Sequence, residues 1–166
     1  TPATVPVISS GFTAAALTVG PLTLGFDPAP GQVLTLVSNT STNQIGGTFT
    51  NLASGGTLAT SYGGRELLFR ASYTGGDGND LTLTLLAPEI GIEQPVGADI
   101  IDGGSTSFGN VVLGSSAALT FTIRNTGAGI LNGLTITRSG ADQASFEVTA
   151  SPTAPVATDA AKPEAR

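Results

Sequence analysis

Apolar and polar residues alternate over short stretches along much of this chain. The clearest run sets Leu81, Leu83 and Leu85 against Thr82 and Thr84. A period of two predicts a half-buried β-strand, because successive side chains point to opposite faces. Gly75-Gly76-Asp77-Gly78-Asn79-Asp80 precedes it and reads as the turn that feeds it, since Gly, Asn and Asp tolerate positive φ cheaply. Similar runs predict strands near 12–19, 22–26, 32–38, 48–52, 66–73 and 81–86. A second set is predicted near 89–93, 111–113, 117–125, 134–138 and 145–149. Strand signals recurring about every eight to twelve residues mark a sandwich, barrel or solenoid. Helical spacing is nearly absent: the alanine-rich spots at Ala14–Leu17 and Ala157–Ala161 lack apolar positions three and four apart over two turns.

The breaks between runs carry turn chemistry: Pro28-Ala29-Pro30-Gly31, Ser54-Gly55-Gly56, Gly63-Gly64, Asp102-Gly103-Gly104 and Asn125-Thr126-Gly127. Ala87-Pro88 is the predicted domain boundary, because proline cannot donate to a strand ladder. Residues 1–87 then form a β-rich module ending in the glycine-acid turn and its strand. Residues 88–152 form a second module, and 153–166, rich in Pro, Ala and Thr, read as a flexible tail.

Composition narrows the function classes. The 166 residues have room for one ordinary domain or two small ones. Only 11% are charged, against about 25% in average soluble domains, and the mean hydropathy is +0.25. No apolar stretch approaches the roughly 18 residues that span a bilayer, so no direct membrane insertion is expected. A weakly charged surface suits a protein that rests against copies of itself or against neighbouring domains. The net charge of −6 reflects scarce bases: Arg65, Arg70, Arg124, Arg138, Lys162 and Arg166, which do not cluster. Nucleic-acid binding, which needs a basic patch, is not expected. Cysteine is absent, so disulfides and thiolate metal sites are excluded. A chain that begins at Thr1 and has no methionine reads as a processed product or an excised piece.

Candidate chemistry is sparse. There is no His or Cys, and the one Lys lies in the tail, which closes off most nucleophile–base pairs. Glu89 and Glu93 share a predicted strand face about 13 Å apart, beyond the roughly 5–9.5 Å that carboxylate-pair chemistry needs. Asp99 and Asp102 fall on opposite faces. The chain is therefore expected not to be an enzyme and to need no cofactor. Calcium is the sharper expectation. Gly75–Asp80 fits the opening of the β-helix calcium repeat G-G-x-G-x-D-x-U-x, although the apolar position comes one residue early, at Leu81. Asp77, Asn79 and Asp80 would supply part of the roughly six to eight oxygens that Ca²⁺ takes. The alternative is a tight glycine turn. The sequon Asn39-Thr40-Ser41 sits in a predicted turn. Tyr62 and Tyr73 are the only tyrosines and tryptophan is absent, which gives little on which to stack a sugar.

Two stretches resemble known families. Gly31–Thr40 (Gly-Gln-Val-Leu-Thr-Leu-Val-Ser-Asn-Thr), Gly46–Leu52 and Tyr73–Leu83 together resemble the strand-rich segments of bacterial autotransporter-like secreted repeat proteins. That resemblance implies extracellular display without catalysis. Residues 88–152 resemble the immunoglobulin-like domain called choice-of-anchor D, found in large bacterial surface proteins. The matching residues are Glu89–Glu93, Ile101–Gly104, Phe108–Val111, Leu119–Gly127, Leu134–Ile136 and Phe146–Thr149. Such domains continue into further strands where this chain turns into Ala157–Arg166, which carries no strand signal.

The expected fold class is therefore all-β: an N-terminal sandwich or β-helix-end module followed by a partial immunoglobulin-like sandwich. Half a sandwich leaves an unpaired edge and an uncovered apolar face, Leu119, Phe121 and Ile123 among it, open to any available strand. The expected function is a structural or adhesive module of a bacterial extracellular or cell-surface assembly, self-associating into filaments by strand donation. Its partners are copies of itself or neighbouring domains of the same surface protein. The alternative is a calcium- or glycan-binding module of a large secreted surface protein.

Overall fold

The computed structural model describes residues 5–159. The chain is nearly all β and divides between Ala87 and Pro88 into two compact units. The expected tail residues 160–166 lie outside the described range. Among the described residues, no helix is long and apolar enough to cross a membrane.

The first unit is one curled, mixed sheet of five strands in the order β1-β2-β5-β4-β3. The strands are β1 (Val7–Ser9), β2 (Val33–Asn39), β3 (Thr57–Tyr62), β4 (Arg65–Gly75) and β5 (Asp80–Leu85). β1 runs parallel to β2, while every other pair is antiparallel. β3 and β4 form a two-residue hairpin through Gly63 and Gly64, whose φ values of 58° and 80° both require glycine's freedom. Leu67, Phe69, Ala71 and Tyr73 of β4 join Leu81, Leu83 and Leu85 of β5 in one buried cluster. Val37 of β2 and irregular chain supply the rest of that cluster, the latter through Ala14, Ile45, Phe49 and Leu52, with Phe12, Val19, Leu22 and Leu24 packed against it. Phe12 and Phe49 meet at 6.0 Å between ring centres. Fully burying a side chain such as Phe69 or Leu83 contributes about 1.5–3 kcal/mol.

Several sequence expectations differ from this sheet. Residues 12–19, 22–26 and 48–52 form no ladder, only isolated bridges at Thr13–Gly46 and Phe49–Leu52. Their alternation is real, but it records which side chains turn toward the core, not strand pairing. β1 and β3 were not signalled by apolar runs. β5 is not half-buried either, since Thr82 is as hidden as its leucine neighbours. The register between β4 and β5 shifts between Ser72 and Gly75, and a side chain at Gly75 would collide with the Thr82 hydroxyl. Glycine is what lets Thr82 nest there.

Among its described residues the second unit contains one small sheet, β6 (Ile90–Glu93) antiparallel to β7 (Thr122–Asn125). A single 3-10 turn covers Gln143–Ser145. The strands expected near 111–113, 134–138 and 145–149 do not form among the described residues, and 117–125 pairs only over its last four. A strand exists only where a neighbour takes its backbone groups, and these stretches have none. Part of the expected flexible tail is instead tied down: Val156 bridges Leu131, and the Asp159 N–H donates to the Asn125 carbonyl at 3.0 Å.

Candidate functional site

The turn from Gly75 to Asp80 is built as a clasp on the loop after β2. The Gly78 N–H donates back to the Gly75 carbonyl at 2.8 Å, closing the turn. Asp80 Oδ1 accepts the Asn39 N–H at 2.8 Å. The Asn79 amide Nδ2 donates to the Ser41 carbonyl and, at 3.2 Å, to the Asn43 carbonyl. Gln44 Nε2 reaches the Gly78 carbonyl at 2.9 Å. Of the three residues expected to bind calcium, Asn79 and Asp80 are thus turned onto protein partners, whereas Asp77 is exposed. Asn79 is 6% exposed and its Oδ1 is buried without a hydrogen-bond partner. No group of three or more His, Cys, Asp or Glu is placed to hold a metal among the described residues.

The sequon asparagine is occupied in the same network. Asn39 is 1% exposed; its Oδ1 accepts from the Gly11 N–H at 3.0 Å and the Ser41 hydroxyl at 2.9 Å. Its Nδ2 donates to the Asn43 carbonyl at 2.7 Å. That nitrogen is sealed inside the loop, so a glycan could attach only if the loop opened. Sequence reading missed this role, because a polar residue in a predicted turn gives no sign of burial. Tyr73, the other residue of note here, is a core strut: its hydroxyl accepts the Phe49 N–H at 2.9 Å and donates to the Leu52 carbonyl at 2.7 Å. Burial holds its pKa above the ordinary value, against the opposing effect of the Phe49 hydrogen bond.

A cleft of about 430 Å³ opens beside β2, lined by Leu22, Leu24, Phe26, Leu34 and Leu36 among others. None of its lining side chains is an acid or base, so nothing in the lining would activate the Thr23 or Thr35 hydroxyl.

In the second unit the carboxylates part company. Glu89 is exposed, whereas Glu93 is 5% exposed and accepts the Gly97 N–H at 2.8 Å. Arg124 Nη1 sits 3.3 Å from Glu93 Oε1, and its Nε donates to Asp159 Oδ2 at 2.7 Å. The guanidinium is held more firmly protonated, chiefly by the Asp159 hydrogen bond and charge. The arrangement is a strap across β6, β7 and the following chain. Asn125, 0% exposed, extends the strap by donating to the Gly129 and Val156 carbonyls at 2.7 and 3.0 Å.

The burial pattern separates the two units. Every buried apolar side chain among the described residues lies between Ala14 and Leu85. The buried residues of the second unit are Glu93, Asn125 and Gly129. Many of its large apolar side chains are exposed, Leu113 at 101%, Ile101 78%, Val112 75% and Phe121 44%, whereas Leu119 and Ile123, expected on the same uncovered face, are half-buried. In comparisons with known proteins, no family model, no curated protein and no solved structure matches the chain.

Proposed function

We propose that the protein is a non-catalytic structural or adhesive module of a bacterial extracellular or cell-surface assembly. Its second unit is completed by strands from a neighbouring chain or domain. One observation carries this reading: among its described residues, the second unit buries no apolar side chain while exposing Ile101, Val112, Leu113 and Phe121. An isolated strand pair such as β6–β7 is marginal in water and gains stability by adding strands to its sheet. Exposed apolar area of this kind marks a surface built to be covered. Head-to-tail addition of copies would cover it and propagate into a filament. The resemblance to surface-display families points the same way.

Sedimentation velocity of the full chain over a rising concentration series tests the proposal. Species larger than a dimer are expected, and Leu113→Asp combined with Phe121→Asp is expected to suppress them. A monomer at every concentration, with amides of residues 100–121 protected from exchange, would overturn it.

The calcium alternative has one observation in its favour, the unpartnered buried Oδ1 of Asn79. An ion bound only to the native state raises the melting temperature. On that reading, millimolar calcium raises the melting temperature of the first unit and Asn79→Ala abolishes the rise; an unchanged melt removes it.

A further inference from the structure

The outer edge of β3 carries a self-complementary pattern. The Ala71 N–H donates to the Gly56 carbonyl and the Ala71 carbonyl accepts the Gly55 N–H, both at 2.9 Å, a bulge in which Gly55 and Gly56 together take the hydrogen-bonded position opposite Ala71. Pairs alternate along an antiparallel ladder. In the register that sets Leu58 against Phe69 and Tyr62 against Arg65, it is therefore Leu58, Thr60 and Tyr62 that bond to β4. Thr57, Ala59 and Ser61 turn their N–H and C=O groups away from the sheet. Among the described residues, no backbone group takes them.

Sheet edges are usually blunted by charge, proline or brevity. β1, at the opposite edge, is three residues long. β3 has six residues, Thr-Leu-Ala-Thr-Ser-Tyr, with no charge and no proline. It is an open template.

We infer that β3 pairs with β3 of a second copy of this chain, antiparallel, about a two-fold axis through Ala59. In that register Thr57 faces the second copy's Ser61 and Ala59 faces its own equivalent, and every outward backbone group finds a partner. Leu58 and Thr60 oppose each other on the core-facing side. The hydroxyls of Thr57 and Ser61 meet on the exposed side, a favourable cross-strand pair. Backbone pairing selects this register over its neighbours: a two-fold through Ser61 or through Thr57 would leave outward N–H and C=O groups of β3 unpaired. The two five-stranded sheets run on as one. The contact is isologous and closes on itself. It stands apart from the head-to-tail completion of the second unit and does not rest on it.

Cross-linking provides the test, since the chain has no cysteine. A hydrogen-bonded antiparallel pair places its Cα atoms about 5.5 Å apart, within the roughly 4.4–6.8 Å of a disulfide. Under mild oxidation of the full chain, Ala59→Cys is expected to form a covalent dimer. Ser61→Cys, displaced from its own equivalent along the strand, is expected to remain mostly monomeric. Ala59→Lys and Ala59→Glu are both exposed in the monomer, yet each places like charges opposite one another on the axis. Each alone should weaken dimerisation by about tenfold or more, and an equimolar mixture should restore it. Circular dichroism checks that the variants keep their fold. Equal cross-linking at positions 59 and 61, or dimerisation indifferent to both charge variants, would overturn the inference. Loss of large assemblies in the Leu113→Asp, Phe121→Asp variant with Ala59→Cys cross-linking intact would separate the two contacts.

Discussion

Tyr73 shows what a single polar atom does in a core made half of strand and half of irregular chain. Its hydroxyl holds the Phe49 N–H and the Leu52 carbonyl, so it fixes the 49–52 turn against β4. Tyr73→Phe leaves both groups buried and unpaired and is expected to cost about 1–3 kcal/mol, read as a lower midpoint in urea unfolding. Burial raises the Tyr73 pKa above the ordinary value of 10.0. A group whose folded pKa is raised stabilises the fold below its unfolded value and loses that contribution as pH rises through the folded one. Stability of the first unit should therefore fall above pH 10, and the Tyr73→Phe variant should lack that part of the fall. Little of this was visible in the chain. Tyr73 reads as an apolar strand residue next to a turn, and Asn39 as a loop sequon, because Tyr73 finds its partners 24 and 21 residues away and Asn39 is tied to Gly11, 28 residues away.

At the scale of elements, legibility follows from what local sequence encodes. β2, β4 and β5 are plain in the alternation because they form the middle of the sheet, where facing and pairing coincide. β3 shows weakly in its apolar residues, but Gly63-Gly64 before Arg65 is a two-residue hairpin signal that would have located it. The coil at 12–24 mimics a strand because extended chain laid on a sheet alternates too. The glycine-acid turn was legible as a turn; its use as a clasp was not, since Asn79 and Asp80 find their partners in the loop at 39–43. Two glycines of this unit separate backbone strain from crowding. Gly31 has φ of 78° with open space around it, so Gly31→Ala should cost only the left-handed penalty of about 1–2 kcal/mol. Gly76 has φ of 59°, and an added Cβ would strike the Asp80 carboxylate, so Gly76→Ala should cost more and loosen the Asn39 clasp. Thermal melts of the two variants side by side check the ranking.

Across the whole molecule the two units are stabilised by different means. One gathers Phe69, Leu81 and Leu83 into a buried cluster, while the other is strapped through Arg124, Glu93 and Asn125. Opening free energies should differ accordingly. In hydrogen–deuterium exchange of the dilute, unassembled chain, amides of 67–85 are expected to be the slowest and those of 100–121 the fastest. Phe69→Ala should lower the stability of the first unit by about 3–5 kcal/mol. The direction of the strands has a mechanical consequence as well. β1 runs parallel to β2, and β5 runs antiparallel to β2. The chain therefore enters the first sheet and leaves it toward the same end. Tension transmitted along the polypeptide would peel the ladder one rung at a time, beginning beside Val7, instead of shearing many rungs together. Such a sheet yields at low force and lengthens gradually, the behaviour of a shock absorber in a strained tether.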